Sequence, residues 1–266
     1  MLIDTHCHLD AAEFNQDREA VIAEAQEAGV RKIVIPAVER SNFSAVRELA
    51  HGIEGGFYAL GIHPMYVHRA HAEDLAVLEQ KIADAMPDPR FVGVGEIGLD
   101  FFVKEIASGQ AREQQEYFYA AQLSIAQQFG LPVILHVRKS QDTLLKYLRR
   151  VKLSGGIAHA FNGSFQQAQA FIKLGFVLGM GGAMTYTRSL QIRRLATELD
   201  LASLVLETDS PDIPPAWLME PDRRNIPAQV YRIAQVLAEL RQEQLEHIIQ
   251  QTSENAHRVL PRLKMS

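Results

Sequence analysis

Ten histidines lie among the 266 residues, and five of them (His6, His8, His63, His136 and His159) fall at the ends of short apolar, β-branched runs. His6 and His8 form an H-x-H unit in Asp4-Thr5-His6-Cys7-His8. Side chains alternate along an extended chain, so both imidazoles leave the same side and can grip one ion. Two carboxylates occupy equivalent places, Glu96 in Gly95-Glu96 and Asp209 in Glu207-Thr208-Asp209. Each piece alone also reads as an ordinary hydrogen-bonded residue, but His6, His8, Glu96, His136, His159 and Asp209 together read as a metal-binding set. Imidazole and carboxylate donors suit zinc, manganese, nickel or ferrous iron, and the lack of thiolates argues against a structural zinc site. Six donors are too many for one catalytic ion with an open position and suit two ions that share a carboxylate. Glu96 has the central place a shared ligand needs, with His6, His8 and Asp209 around one ion and His136 and His159 around the other. Such a pair provides hydroxide at neutral pH and stabilises both the attacking and the leaving oxygen of a displacement. The other five histidines, His51, His68, His71, His247 and His257, need only solvated or structural roles.

Those donors must be delivered by a repeated scaffold. Short apolar runs at 2–6, 33–38, 57–62, 91–96, 133–136, 156–159, 176–180 and 204–207 read as eight strands. Being continuously apolar, they suit parallel strands covered on both faces. Helical periodicity fills 17–28, 42–51, 72–85, 112–129, 140–150, 164–173, 188–198, 227–240 and 243–258. Gly29 and Gly130 stand where a glycine lets the chain leave a helix, and Ser140 and Ser164 where a helix begins. Eight strand–helix units imply an α/β fold, a TIM (β/α)8 barrel, with residues 1–266 as a single domain. The chemistry of such a barrel gathers at the C-terminal ends of its strands, where the candidate ligands stand. The same alternation also builds an open doubly wound sheet. No G-x-G-x-x-G follows the first strand and no G-x-x-x-x-G-K-[ST] occurs, so no nucleotide cofactor is expected.

Composition narrows the classes further. Lys+Arg 27 against Asp+Glu 32 gives 27 − 32 = −5, and 47% hydrophobic with 22% charged residues is ordinary for a globular chain. This excludes disordered, collagen-like and coiled-coil classes. Cys7 is the one cysteine, which rules out an intramolecular disulfide and suits a reducing compartment. The N-terminus lacks a basic, apolar leader, and no apolar run nears the roughly 20 residues of a membrane span. A cytoplasmic protein without membrane contact is expected. Net negative charge disfavours a broad non-specific nucleic-acid footprint but leaves room for a local basic patch.

The donors sit inside longer motifs: D-T-H-C-H-L-D at 4–10, G-I-H-P at 61–64, G-E-I-G-L-D at 95–100 and P-V-I-L-H-V-R at 132–138. H-A-F-N-G-S at 159–164, L-E-T-D-S-P at 206–211, R-N-I-P at 224–227 and E-N-A-H-R-V-L at 254–260 follow. In these motifs the chain resembles the TatD family of metal-dependent hydrolases, within the broader amidohydrolase group, in a form nearest its YjjV-like branch. The resemblance implies a TIM barrel and two divalent ions (zinc, manganese, magnesium, nickel or iron) held by His6, His8, Glu96, His136, His159 and Asp209. It implies hydrolysis of phosphodiester bonds, typically in DNA, as a 3′-exonuclease or repair-type nuclease, with His63 and Arg138 facing the substrate phosphate. Met65 stands where many relatives carry a second histidine, and the loop 101–110 lacks their Tyr-His or Trp-rich character. Both departures lie where substrate is read.

Other residues carry two readings each. Arg138 can pair with a phosphate or form a salt bridge at the rim. His63 precedes Pro64, which holds it in an extended loop start, where substrate contact is favoured over ligation. Glu207, two residues before Asp209, suits a partner for a ligating histidine or an internally paired charge. Arg149, Arg150, Arg193 and Arg194 decorate helix faces, whereas Arg223 and Arg224 follow the Pro-rich stretch 211–221 above the barrel mouth. Trp217 in that stretch either stacks a base or anchors its loop. The leading expectation is a two-metal phosphodiesterase acting on DNA, with Asp209 and Glu96 catalytic. The alternatives are a hydrolase of a small amide, ester or lactone, and a non-enzymatic metal- or nucleic-acid-binding component; a monomer is compatible with all three.

Overall fold

The computed structural model describes residues 1–221 and 223–264. Eight parallel strands pair in sequence order: β1 (Leu2–Asp4), β2 (Val30–Pro36), β3 (Gly56–Leu60), β4 (Phe91–Asp100), β5 (Val133–Arg138), β6 (Gly156–Ala158), β7 (Phe176–Met180) and β8 (Leu204–Leu206). Between and after them run α1 (Arg18–Glu27), α2 (Phe43–Gly52), α3 (Ala72–Ala85), α4 (Gly109–Phe129), α5 (Gln141–Leu148), α6 (Phe165–Lys173), α7 (Leu190–Glu198), α8 (Val230–Arg241) and α9 (Leu245–Val259). The sheet returns on itself. Thr5 N–H donates to Leu206 O at 3.1 Å, Asp209 N–H to His6 O at 2.9 Å and His8 N–H to Ser210 O at 2.8 Å. That closure excludes the open doubly wound sheet and gives a TIM barrel.

Alternation along each strand divides the apolar side chains into two layers. Ile3, Val34, Phe57, Ala59, Val92, Ile134, Ile157, Val177 and Val205 form one cluster, which Ala256, Val259, Leu260 and Leu263 join from the C-terminal segment. These strand residues fill the barrel interior, and the end of α9 plugs it from the side opposite the candidate site. Their neighbours, among them Ile33, Ile35, Tyr58, Val133 and Leu135, belong to the larger layer under the helices. Helix α9 is amphipathic in the expected way, burying Ile248, Thr252, Asn255, Ala256 and Val259. Its Asn255 side-chain amide donates to Leu201 O at 2.7 Å and Leu204 O at 2.8 Å, pinning the helix to β8.

Helix ends follow the punctuation with one exception. Gly130 closes α4 in the left-handed conformation at φ 65°, and the Ser164 hydroxyl accepts the Gln167 amide to start α6. Ser140 precedes α5 but does not cap it; its hydroxyl donates to Leu99 O at 2.6 Å and accepts the Arg138 amide at 3.2 Å. The strand ends differ from expectation at two places that matter for the site. Strand β1 stops at Asp4, and β4 runs on to Asp100. Among the described residues no helix is long and apolar enough to cross a membrane.

Candidate metal centre

The inward parity of the barrel layer continues upward into chemistry. Counting in twos, Ile134 leads to His136, Ile157 to His159, and Val205 to Glu207 and then Asp209. In β1 the count breaks at a bend at Thr5. His6 and His8 nonetheless converge, with Nε2 atoms 3.2 Å apart, because hydrogen bonds to β8 direct the chain beyond the strand. Asp4 supports that turn: its carboxylate accepts the His6 amide at 3.2 Å, the Thr208 amide at 3.0 Å and the Thr208 hydroxyl at 2.6 Å. Burial pushes Asp4 up to about 8 against those hydrogen bonds.

Glu96 lies at the centre, and its two oxygens face different partners. Oε2 is 3.1 Å from His6 Nε2 and 3.3 Å from His8 Nε2. Oε1 is 2.9 Å from His136 Nδ1 and 3.3 Å from both His159 Nε2 and His63 Nε2. Asp209 Oδ1 closes the first side, 3.5 Å from His6 Nε2 and 3.6 Å from His8 Nε2. Three donor groups therefore form: His6, His8 and Asp209; His6, Glu96 and His159; and His63, Glu96 and His136, each with its atoms within 4.8 Å of one another. All six expected donors are brought together, and His63 joins them. The grouping departs from the expected division, since the His159 ring stacks on His6 at 3.8 Å rather than standing only with His136.

The donor set suits cations. In the deprotonated form that a cation selects, the imidazoles and two neighbouring carboxylates offer lone pairs in excess of hydrogens, and His6 Nδ1 is buried with no hydrogen-bond partner among the described residues. Burial, with the charge of His159, holds His6 well below the ordinary imidazole range. Burial pushes Asp209 up to about 6, against the pull of His159 and His8. Burial also opposes charge on Glu96, but the surrounding histidines, His63 and His6 foremost, keep it ionised. A divalent ion offsets the remaining carboxylate repulsion, and nitrogen and oxygen donors without thiolates match zinc, manganese, nickel and iron.

His63 stands apart chemically. Its Nδ1 accepts the Met65 amide at 3.1 Å, so in the neutral ring Nε2 carries the hydrogen. Burial lowers its pKa to about 4, which keeps it neutral. It is a hydrogen-bond donor pointed into the centre, not a lone pair.

The supporting residues are equally local. Glu207 Oε1 accepts the Ala160 amide at 2.5 Å and lies 3.4 Å from His159 Nδ1. Room for that carboxylate depends on Gly179, where a Cβ would fall 2.1 Å from Glu207 Oε2. Asp209, Ala160 and Lys139, each within three residues after a strand end, take left-handed φ values of 58°, 44° and 54°. Backbone held in that region by surrounding contacts is characteristic of functional sites. Asp100, which spacing along the chain does not single out, also faces the centre, with Oδ2 3.1 Å from His136 Nε2. Asp100, Asp4 and Thr208 all sit inside the motifs quoted above, and their burial is the signal a one-dimensional reading lacks.

At the rim, Arg138 is 3.8 Å from Asp100 and 4.0 Å from the Phe102 ring centre, so the salt bridge is long and the guanidinium half-exposed. Trp217 anchors its loop, donating Nε1–H to Gln229 at 2.8 Å under the Arg232 guanidinium. Arg224 binds Asp17 and Glu13 O, Arg223 reaches Glu220 and Tyr186, and Arg194 pairs with Glu198.

The profile of the family described as TatD related DNase matches residues 3–261. The chain is 40% identical over 257 residues to the Escherichia coli metal-dependent hydrolase YjjV, covering 96% of each. The crystal structure of that protein superposes with a TM-score of 0.90 over 98% of both chains at 39% identity. A human deoxyribonuclease is 30% identical over 270 residues, covering 99% of this chain and 96% of its own. A 3′-5′ ssDNA/RNA exonuclease, TatD, of a Pantoea species is 31% identical over 269 residues, covering 97% and 98%.

Proposed function

The chain belongs to the TatD family of metal-dependent hydrolases, and on that premise we propose that it is a phosphodiesterase that shortens DNA from its 3′ end. The observation that carries the reading is Glu96, whose two carboxylate oxygens address two sets of histidines. Two divalent cations fit there, one among His6, His8, Asp209 and Glu96, the other among His136, His159 and Glu96. When bound, such ions supply positive charge for phosphoryl oxygens and acidify water. Asp209, partly open to solvent, orients the attacking water and accepts its proton. The His63 Nε2–H donates to a phosphoryl oxygen, a fixed neutral donor of the kind that stabilises developing charge. Arg138 offers guanidinium N–H groups to the same phosphate. Glu207 orients the His159 ring through Nδ1, which keeps Nε2 turned toward Glu96. On this reading residues 1–266 act as one domain. Relatives described as acting on DNA or single-stranded DNA and RNA support nucleic acid as the substrate.

The test is a substrate panel run with metal-loaded and chelator-treated protein: a 3′-labelled oligonucleotide, small esters and lactones. Release of 3′-terminal nucleotides that chelation abolishes and Mn²⁺, Mg²⁺ or Zn²⁺ restores is expected. Equal rates with chelator overturn the metal role, and turnover of lactones or esters alone overturns the phosphodiester role.

A further inference from the structure

The barrel mouth carries an exposed aromatic side chain that the proposed chemistry leaves unused. Phe102 opens the loop after β4 and keeps 49% of its surface exposed, while Phe101 beside it packs on the core. The Arg138 guanidinium lies 4.0 Å from the Phe102 ring centre and the Lys139 ammonium 4.8 Å. Both are within the range in which a ring face attracts a cation.

The backbone that carries the ring is held by Asp100, whose carboxylate also faces the candidate ligand His136. Asp100 Oδ1 accepts the amides of Phe102 at 2.8 Å and Val103 at 3.0 Å. Its other oxygen faces His136 Nε2 at 3.1 Å and Arg138 Nη1 at 3.8 Å. Gln115, buried in α4, locks the loop: its amide donates to Asp100 O and Ile106 O, and its oxygen accepts the Asp100 amide. Ring, guanidinium and His136 therefore share one fixed reference. Among the described residues Asp100, at 3.8 Å, is the sole carboxylate near Arg138. The ring orients the guanidinium without consuming its N–H groups, which stay available to an incoming anion.

We propose that Phe102 is a specificity-determining positioning residue, whose ring holds Arg138 over the rim beside His136 so that the site selects an anionic phosphate over a neutral ester. This rests on the phosphodiesterase reading above. A leucine at 102 keeps the apolar bulk but has no ring face, and Arg138 then spreads over several rotamers before each binding event.

The experiment combines kinetics with a contact readout on the full chain. Oligonucleotide KM and kcat are measured for the parent, Phe102→Leu, Phe102→Tyr, Arg138→Ala and the Leu/Ala double variant, with metal content checked for each. Phe102→Leu should raise KM about fivefold, in line with a half-exposed cation–π contact, and leave kcat within about twofold. Phe102→Tyr should restore KM. In the Arg138→Ala background Phe102→Leu should add nothing, since neighbours that act through one contact are non-additive. The Arg138 side-chain N–H resonance should show a ring-current shift that Phe102→Leu removes, whatever the substrate. Unchanged KM in Phe102→Leu, fully additive losses in the double variant, or no ring-current shift in the parent each overturn the inference while leaving phosphodiester hydrolysis intact. A parent that shows the shift yet cleaves no oligonucleotide overturns the phosphodiesterase reading and this inference with it.

Discussion

His63 is fixed by Met65. The Met65 amide donates to Nδ1 at 3.1 Å, which leaves the hydrogen on Nε2, 3.3 Å from Glu96 Oε1. The position of His63 among the donors would by distance alone make it a ligand. The tautomer makes it a donor. His63→Ala should therefore leave metal content unchanged and lower kcat by about 10²-fold, the scale of a removed transition-state donor. Metal analysis of the purified variant checks it, and depleted metal would show that His63 is a ligand.

Glu96→Gln keeps the shape and removes the negative charge that both halves of the centre share. Metal content should fall, and the rate should drop by at least about a hundredfold. Full occupancy with near-parental turnover would place the bridging role elsewhere.

Gly179→Ala tests how tightly the His159 support is built. The added methyl would occupy the Glu207 carboxylate position, 2.1 Å from Oε2, in a closed interior. Overpacking of this kind costs about 1–3 kcal/mol, and displaced Glu207 should weaken metal binding at His159. Thermal melting and metal titration read the two effects separately; an unchanged melting temperature would mean that Glu207 relocates freely.

Stability at acid pH should report Asp88, remote from the metal centre. Its Oδ2 accepts the Tyr58 hydroxyl at 2.9 Å and Arg47 Nε–H at 3.2 Å and lies 2.8 Å from His51 Nε2; its Oδ1 accepts the Arg90 amide at 3.0 Å. Burial opposes the charge, but His51, the Arg90 amide, Tyr58 and Arg47 together hold the carboxyl at about 2, below its ordinary 3.8. The folded state binds the proton less readily than the unfolded chain, so the stabilisation is complete above pH 3.8 and is lost as pH falls through about 2. Asp88→Asn should lower stability at pH 6 by at least about 1 kcal/mol, the price of buried donors left poorly paired. In urea unfolding the gap between variant and parent should close between pH 4 and pH 2; a constant gap would contradict the assignment.

Much of the protein is written in one dimension. Eight apolar runs alternating with helical periodicity dictate a parallel α/β architecture, because a strand buried on both faces needs no polar alternation and its return needs a helix. His136, His159 and Asp209 were legible because they close apolar strand runs, and in the folded chain they continue the inward parity of Ile134, Ile157 and Val205. Three things were decided only by the folded chain. Closure of β8 on β1 turns His6 and His8 inward beyond the bend at Thr5, where strand parity no longer applies. The tautomer of His63 depends on where the Met65 amide points, which no spacing encodes. The joint role of Asp100 depends on β4 running on to that residue while β5 brings His136 and Arg138 beside it, through a register that shifts between Val94 and Ile97. Sequence determines which side chains a strand presents and on which face; which of their atoms meet is set by register, closure and hydrogen bonds between segments far apart in the chain.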